Sequence, residues 1–449
     1  MKALPIGLAL LILLGPAAAG ARVLWERGEV TLEHRGSFKQ IVQGGSGTSL
    51  DEFVDRAAMA PDICLDPDAF KNCPGFGAIG DEGAVQSLSR LRNRLELRVG
   101  DAWTAVAIWD HQIIASNPVG FERSLGGSFT SSPWADIGGS ILDREHVDWD
   151  HDFYRLYVDY EGERLGATVG RQRVAWGVGR LWNPIDRFNA SGPLDIEPDE
   201  DGGVDAINLR WNFTDFTFLQ GVCAFADDRE EHSCALRFHG VLHDVDFSVV
   251  AGSFERALTL GFDLEGNLGD AAGRVEVVYT HSDRDIWPMQ SASPEDLGDF
   301  WQVVVSVDYM FDVGNGIYAL IEHLYNGNAL GFGGGRAGVL LPFFQKTSTP
   351  FGTAFRPVSR ARFGGSRVIT ASDHTTGLNL GYDLTPEIRG DVVFLYDWEG
   401  QSASFFPSLR YDAFDWLELT VGGQFFVGPR MSQYGDVKPV GFLIAEFFF

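Results

Sequence analysis

The sequence predicts an all-β chain closed into a transmembrane, antiparallel up-and-down barrel of about 16–18 strands. Three observations carry this. Apolar and polar residues alternate along many segments of strand length, the connectors between those segments alternate between short and long, and no apolar run after residue 21 is long enough to cross a bilayer as a helix.

Taken in chain order, residues 1–21 read as a secretory signal peptide. Lys2 supplies the positive start and Leu4 to Leu14 the apolar run, while Ala17-Ala18-Ala19 and Ala19-Gly20-Ala21 offer small-residue cleavage sites. A membrane anchor needs about 20 unbroken apolar residues, and this run is shorter and meets Pro16. Residues 22–449 show no internal repeat or low-complexity tract and read as one barrel domain. The formal charge is −27; removing the signal peptide takes one lysine, leaving 34 basic against 62 acidic side chains, or −28. That balance argues against nucleic acid as a partner. It suits a surface or pore wetted by divalent cations, and equally the solubilising charge of long loops.

The four cysteines fall in two close pairs, Cys64 with Cys73 and Cys223 with Cys234, which in an exported chain read as two local disulfides. The second pair brackets Asp227-Asp228-Arg229-Glu230-Glu231 and would staple the two arms of one hairpin. There is no C-x-x-C-H haem attachment motif and no short-spaced zinc ligand set, so neither cofactor nor metal is expected.

Strand after strand repeats one pattern. In Trp416 to Val427, Leu417, Leu419, Val421, Phe425 and Val427 share one face, and Glu418, Thr420, Gly422 and Gln424 the other. Val303, Val305, Val307, Tyr309 and Phe311 alternate with Gln302, Ser306 and Asp308; Leu258, Leu260, Phe262 and Leu264 alternate with Thr259, Asp263 and Glu265. Short connectors such as Gly100-Asp101 and Glu161-Gly162-Glu163 are followed by long polar ones at 43–86, 116–150, 177–203, 283–298, 328–373 and 428–438. Ser253 to Arg256 is short and Asn267 to Gly273 middling, against the rule. Short periplasmic turns, long extracellular loops and an even strand number put both termini in the periplasm.

The last strand places Leu443, Ala445, Phe447 and Phe449 on one face and ends Phe447-Phe448-Phe449. It resembles the assembly signal of outer-membrane barrel proteins. The resemblance implies the outer membrane of a Gram-negative bacterium, with the barrel assembly machinery, outer-membrane lipid and lipopolysaccharide as partners.

Four features bear on function. Arg90, Arg92, Arg94, Glu96 and Arg98 occupy one face of a strand whose other face is Leu91, Leu95, Leu97 and Val99. Arginine facing lipid costs about 2–4 kcal/mol near the midplane, so the ladder lines the lumen, either as an anion-attracting wall or paired with carboxylates of neighbouring strands. The connector 328–372 carries Arg336, Lys346, Arg356, Arg360, Arg362 and Arg367 and no acid. It reads either as a constriction folded into the bore or as an exposed loop binding anionic groups of the outer leaflet. The acids Asp195, Glu197, Asp199, Glu200, Asp201 and Asp205 read as solvated external charge; their spacing matches no calcium loop.

The fourth feature is the run from Val169 to Asn189. Its Gly170-Arg171-Gln172, Trp176-Gly177 and Asn183-Pro184-x-Asp186 resemble a signature of porin-like outer-membrane proteins, including relatives of alginate-export and porin–cytochrome barrels. Arg171 and Arg173 fall on the apolar row of Leu165, Ala167 and Val169. A bulge at Gly170 is therefore expected, turning both into the lumen, with Asp186 pairing Arg187 across the Asn183-Pro184 turn and the whole run clamping an inward turn to the wall. No local motif sets a nucleophile beside a base, so no enzyme is expected. A water-filled bore implies passive diffusion of small hydrophilic solutes, anions among them. The alternatives are a sheath around a multihaem cytochrome and an export channel for an acidic polysaccharide.

Overall fold

Among the described residues the period-two alternation is expressed as twenty-two strands. They are β1 (Arg22–Arg27), β2 (Val30–Ser46), β3 (Gly83–Val99), β4 (Trp103–Asn117), β5 (Gly139–Arg144), β6 (Val147–Glu161), β7 (Leu165–Gln172), β8 (Val204–Asn212), β9 (Phe218–Phe225), β10 (Ser233–Leu242) and β11 (Val245–Phe254). There follow β12 (Ala257–Leu268), β13 (Ala271–His281), β14 (Asp299–Phe311), β15 (Ile317–Asn326), β16 (Phe344–Thr349), β17 (Gly352–Pro357), β18 (His374–Thr385), β19 (Ile388–Asp397), β20 (Ser402–Phe414), β21 (Leu417–Val427) and β22 (Val440–Phe448). The computed structural model describes residues 22–46, 83–117, 134–144, 147–189, 192–194, 196–197, 203–227, 229–281, 299–329, 344–349, 352–357, 368, 370, 372–429, 432–435 and 439–449.

Eighteen of these strands form a closed antiparallel barrel, each paired with its neighbour along the chain. Closure is made by β2, which pairs β3 along one edge and β22 along the other, from Ser37↔Phe448 to Gly45↔Val440. Four strands stand outside the ring. β1 folds back on β2 below β22, β5 lies against the start of β6, and β16 with β17 makes a separate hairpin in the connector between β15 and β18.

Register then assigns every residue a face. On β14, Gln302, Val304 and Ser306 are buried on the inside, while Trp301 and Val305 are exposed on the outside. An apolar row left exposed around a closed sheet has no watery counterpart; it is the surface of a barrel that spans a membrane. Aromatic pairs sit on that outer surface near both ends of the strands, with ring centroids 4.8 Å apart for Trp103–Tyr160 at one end and 4.9 Å for Tyr279–Trp301 at the other.

Tight turns join the strands at the end that holds both termini, where Gly36 and Phe449 exchange two backbone hydrogen bonds. The two irregular connectors resolve simply. Asn267 to Gly273 contains a turn at Gly269-Asp270, and Glu255-Arg256 is a two-residue turn at the loop end, with both residues at positive φ. Cys223 and Cys234 are direct cross-strand partners on β9 and β10 and form the expected disulfide. Cys64 and Cys73, the signal peptide and the connector 283–298 lie outside the described residues.

Candidate functional site

The connector after β7 does not project outward as an external loop. Residues 173–189 turn into the bore, and 192–194 and 196–197 continue across it, because inward-facing side chains of the wall supply what this backbone lacks. Trp176 Nε1 donates to Gln220 Oε1 of β9 at 3.0 Å. The carboxylate of Glu276 on β13 accepts N–H bonds from Val178, from Gly179 at 2.6 Å and from Ile185 at 3.3 Å. That of Glu322 on β15 accepts from Arg180, Leu181 and Trp182 at 2.9, 2.8 and 2.7 Å. Both acids are 0% exposed. A buried carboxylate costs several kcal/mol unless hydrogen bonds replace its water, and here successive backbone amides do so.

Local sequence makes these two nests. Gly177 has φ +85°, and a Cβ there would lie 2.2 Å from Asn183 Oδ1 and 2.6 Å from Glu276 Oε1. Only glycine lets the chain close on the carboxylate. The Asn-Pro turn follows: Asn183 Nδ2 donates to Trp176 O at 2.7 Å, and its Oδ1 accepts from Asp186 N at 2.9 Å. Asp186 Oδ1 then accepts from Phe188 N and Asn189 N at 3.2 and 2.8 Å. Arg187, 1% exposed, donates to Pro184 O at 2.9 Å, Thr280 Oγ1 at 2.8 Å and Gln302 Oε1 at 3.2 Å, which ties the turn to β13 and β14.

Apolar contacts complete the attachment. Trp176, Ile185 and Phe188 join Val222, Val250, Phe254 and Val278 of the wall in one buried cluster. Leu181 and Trp182 join Val304, Leu320, Leu324, Leu395, Val368 and Tyr434 in a second. Burial, and then the carboxylate of Asp397, push the Tyr434 phenol above its ordinary range, so it enters this cluster neutral. Beyond, Gln424 Nε2 of β21 donates to Leu194 O at 2.6 Å. Glu197 meets Lys39 Nζ of β2 at 3.0 Å and Arg90 of β3 at 3.1 Å. The segment thus touches the wall from β9 round to β3 and narrows the lumen along the way.

The arginine ladder faces the lumen, and its members are paired. Arg90 is held by Glu197, Arg92 Nη2 by Asp110 at 2.6 Å, and Arg94 and Arg98 both reach Glu96 at 2.5 Å. The Arg92 guanidinium also lies 3.9 Å from the Tyr154 ring centroid. Of the two readings of the ladder, the geometry displays the ion pairing with carboxylates.

Two expectations are corrected. No bulge forms at Gly170: the register of β7 runs unbroken against both β6 and β8, so Arg171 stays on the outer row of Val169. It is buried there because Asp205, Asp152 and the carbonyls of Phe153 and Ala135 receive its guanidinium, with Trp134 packed at a tilt against Phe225 nearby. Arg173 is exposed where the chain leaves the strand. The acids after residue 190 are not uniformly solvated, since Glu197 and Asp205 serve Arg90, Lys39 and Arg171; Asp195, Asp199, Glu200 and Asp201 lie outside the described residues. The constriction expected from 328–372 falls largely outside the described residues, Arg360, Arg362 and the side chain of Arg356 included; what is described inside the bore is the segment 173–189, against which Val368 packs.

Glu276, Glu322 and Arg180 were missed by sequence reasoning. A carboxylate in the middle of the inward row of its strand was the available signal for the first two.

These features define a class: an eighteen-stranded membrane-spanning β-barrel with a polar lumen and a segment folded into it. The chain superposes on solved structures that share its fold. Acinetobacter baumannii OccAB1 matches with a TM-score of 0.52 and 6% identity over 93% of this chain and 96% of that one. Pseudomonas aeruginosa OccK8 (OprE) matches with a TM-score of 0.50 and 10% identity over 93% and 98%. Acinetobacter baumannii OccAB2 gives 0.50 and 7% over 93% and 98%. At these identities the likeness is one of fold. No protein-family model matches the chain, and no curated protein sequence does.

Proposed function

We propose that the protein is a porin-type channel of the Gram-negative outer membrane, through which small hydrophilic solutes diffuse passively past the segment 173–197. The observation that carries this reading is the segment itself. A large barrel holds an aqueous bore, and here a covalently continuous element is anchored inside it by two buried carboxylates, which is how a wide bore becomes a selective one. The same element occupies lumen that a sheathed cytochrome would need, which favours the diffusion reading over the scaffold. Reconstituted in planar bilayers, the folded protein gives stable unitary conductance steps; folded barrels that never conduct would overturn the proposal.

A further inference from the structure

The ladder on β3 is the obvious candidate for charge selection, but its guanidinium groups are engaged at hydrogen-bond distance by carboxylates. Arg180 differs. Its backbone is pinned by Glu322, and its side chain is 53% exposed into the bore. Its contact with Glu265 Oε1 is long, at 3.7 Å, and that same oxygen is bonded by Arg274 Nε at 2.7 Å. Arg274 in turn is bonded to Asp308. Two carboxylates, Glu265 and Asp308, therefore face two arginines, and the closer bonds belong to Arg274. The Arg180 guanidinium is thus held only by a long contact and stays open to the bore, on a backbone pinned by Glu322.

Its place in the ring adds to this. β13, which carries Arg274, is nine strands from β3 in a ring of eighteen, so the two stand on opposite walls. Glu265 lies four residues before the Gly269 turn and Glu96 four before the Gly100 turn, which puts Arg180 and the half-exposed Arg94 and Arg98 at similar heights. A solute that passes the segment meets cationic side chains from both sides.

We infer that Arg180 is the residue that sets the charge preference of the passage, selecting small anions, and that the ion-paired ladder contributes less. This rests on the channel reading above. An exposed charge at a constriction acts on every permeating ion, whereas a charge already neutralised by a bonded carboxylate acts weakly.

The test is the reversal potential of the full-length barrel in a KCl gradient across a planar bilayer. Wild type and Arg180→Lys prefer chloride. Arg180→Gln moves the chloride-to-potassium permeability ratio down by ~2-fold or more and Arg180→Glu takes it below one, while Arg92→Gln shifts it less. Conducting Arg180→Glu channels with an unchanged reversal potential would overturn the inference and leave the channel reading intact. Wild-type barrels that fold, as judged by heat-modifiable mobility, but never conduct would overturn both. Because the Arg180 side chain is half-exposed and not part of either apolar cluster, its variants retain the fold; Arg180→Lys serves as the control for that.

Discussion

Glu276 and Glu322 show how one acid can position a stretch of backbone. Each exchanges its hydration for three amide N–H bonds, and bonds to a charged acceptor are worth about 1.5–3 kcal/mol apiece. Glu322→Ala removes the acceptor shared by Arg180, Leu181 and Trp182, at a local cost of about 1–3 kcal/mol for each amide left unpaired. Single-channel recording should then show larger or noisier conductance, with the barrel still migrating as a folded species in unheated samples; unaltered traces would sever the link between clamp and pore. Gly177→Ala reaches the same end through the backbone. Its positive φ and the close approach of Asn183 and Glu276 strain any Cβ, by about 1–3 kcal/mol, and proteolysis within 173–189 should become faster.

Among elements, the short strand β7 matters most. It ends at Gln172, while β6 and β4 run on for fifteen residues each, so the chain is free to turn inward where a longer strand would have stayed in the wall. β5 takes the vacated edge of β6, and residues around Trp134 cover the Arg171–Asp205 pair. Arg171→Ala would leave Asp205 buried without its cation. We expect it to lower barrel stability by about 3–5 kcal/mol in urea unfolding from lipid vesicles; a change below the measurement error would mean that the pair is dispensable. The disulfide on β9 and β10 joins strands that the register already pairs. Non-reduced peptide mapping should recover Cys223 linked to Cys234, and the double serine variant should still assemble.

For the whole molecule, the two faces of the sheet make opposite demands. On β21, Val421 faces out and Thr420 faces in. Lysine at Val421 should cost about 2–4 kcal/mol in vesicle unfolding experiments, and lysine at Thr420 far less. Equal costs would contradict the assignment of faces. Tags should report the orientation too: one inserted in 283–298 is accessible on intact cells, and one at the His243-Asp244 turn is shielded until the outer membrane is opened.

Strand existence, facing and approximate number were legible in the chain because side-chain alternation is a local property with a fixed period. So were the Cys223–Cys234 staple and the placement of the termini, which follow from spacing and parity. An inward turn within 169–189 was legible too, but the anchorage of that segment was not. It depends on acids that lie 91 to 142 residues further along and meet its amides only after the barrel has closed. The same holds for the pairing of the ladder and for Arg171, whose local pattern called for an inward bulge until Asp152 and Asp205 supplied partners from two other strands. Periodicity by itself determined a membrane-spanning barrel. Which backbone enters it, and which charges face the bore, was decided by tertiary structure, because buried charges and backbone amides choose partners by distance in space and not by spacing in sequence.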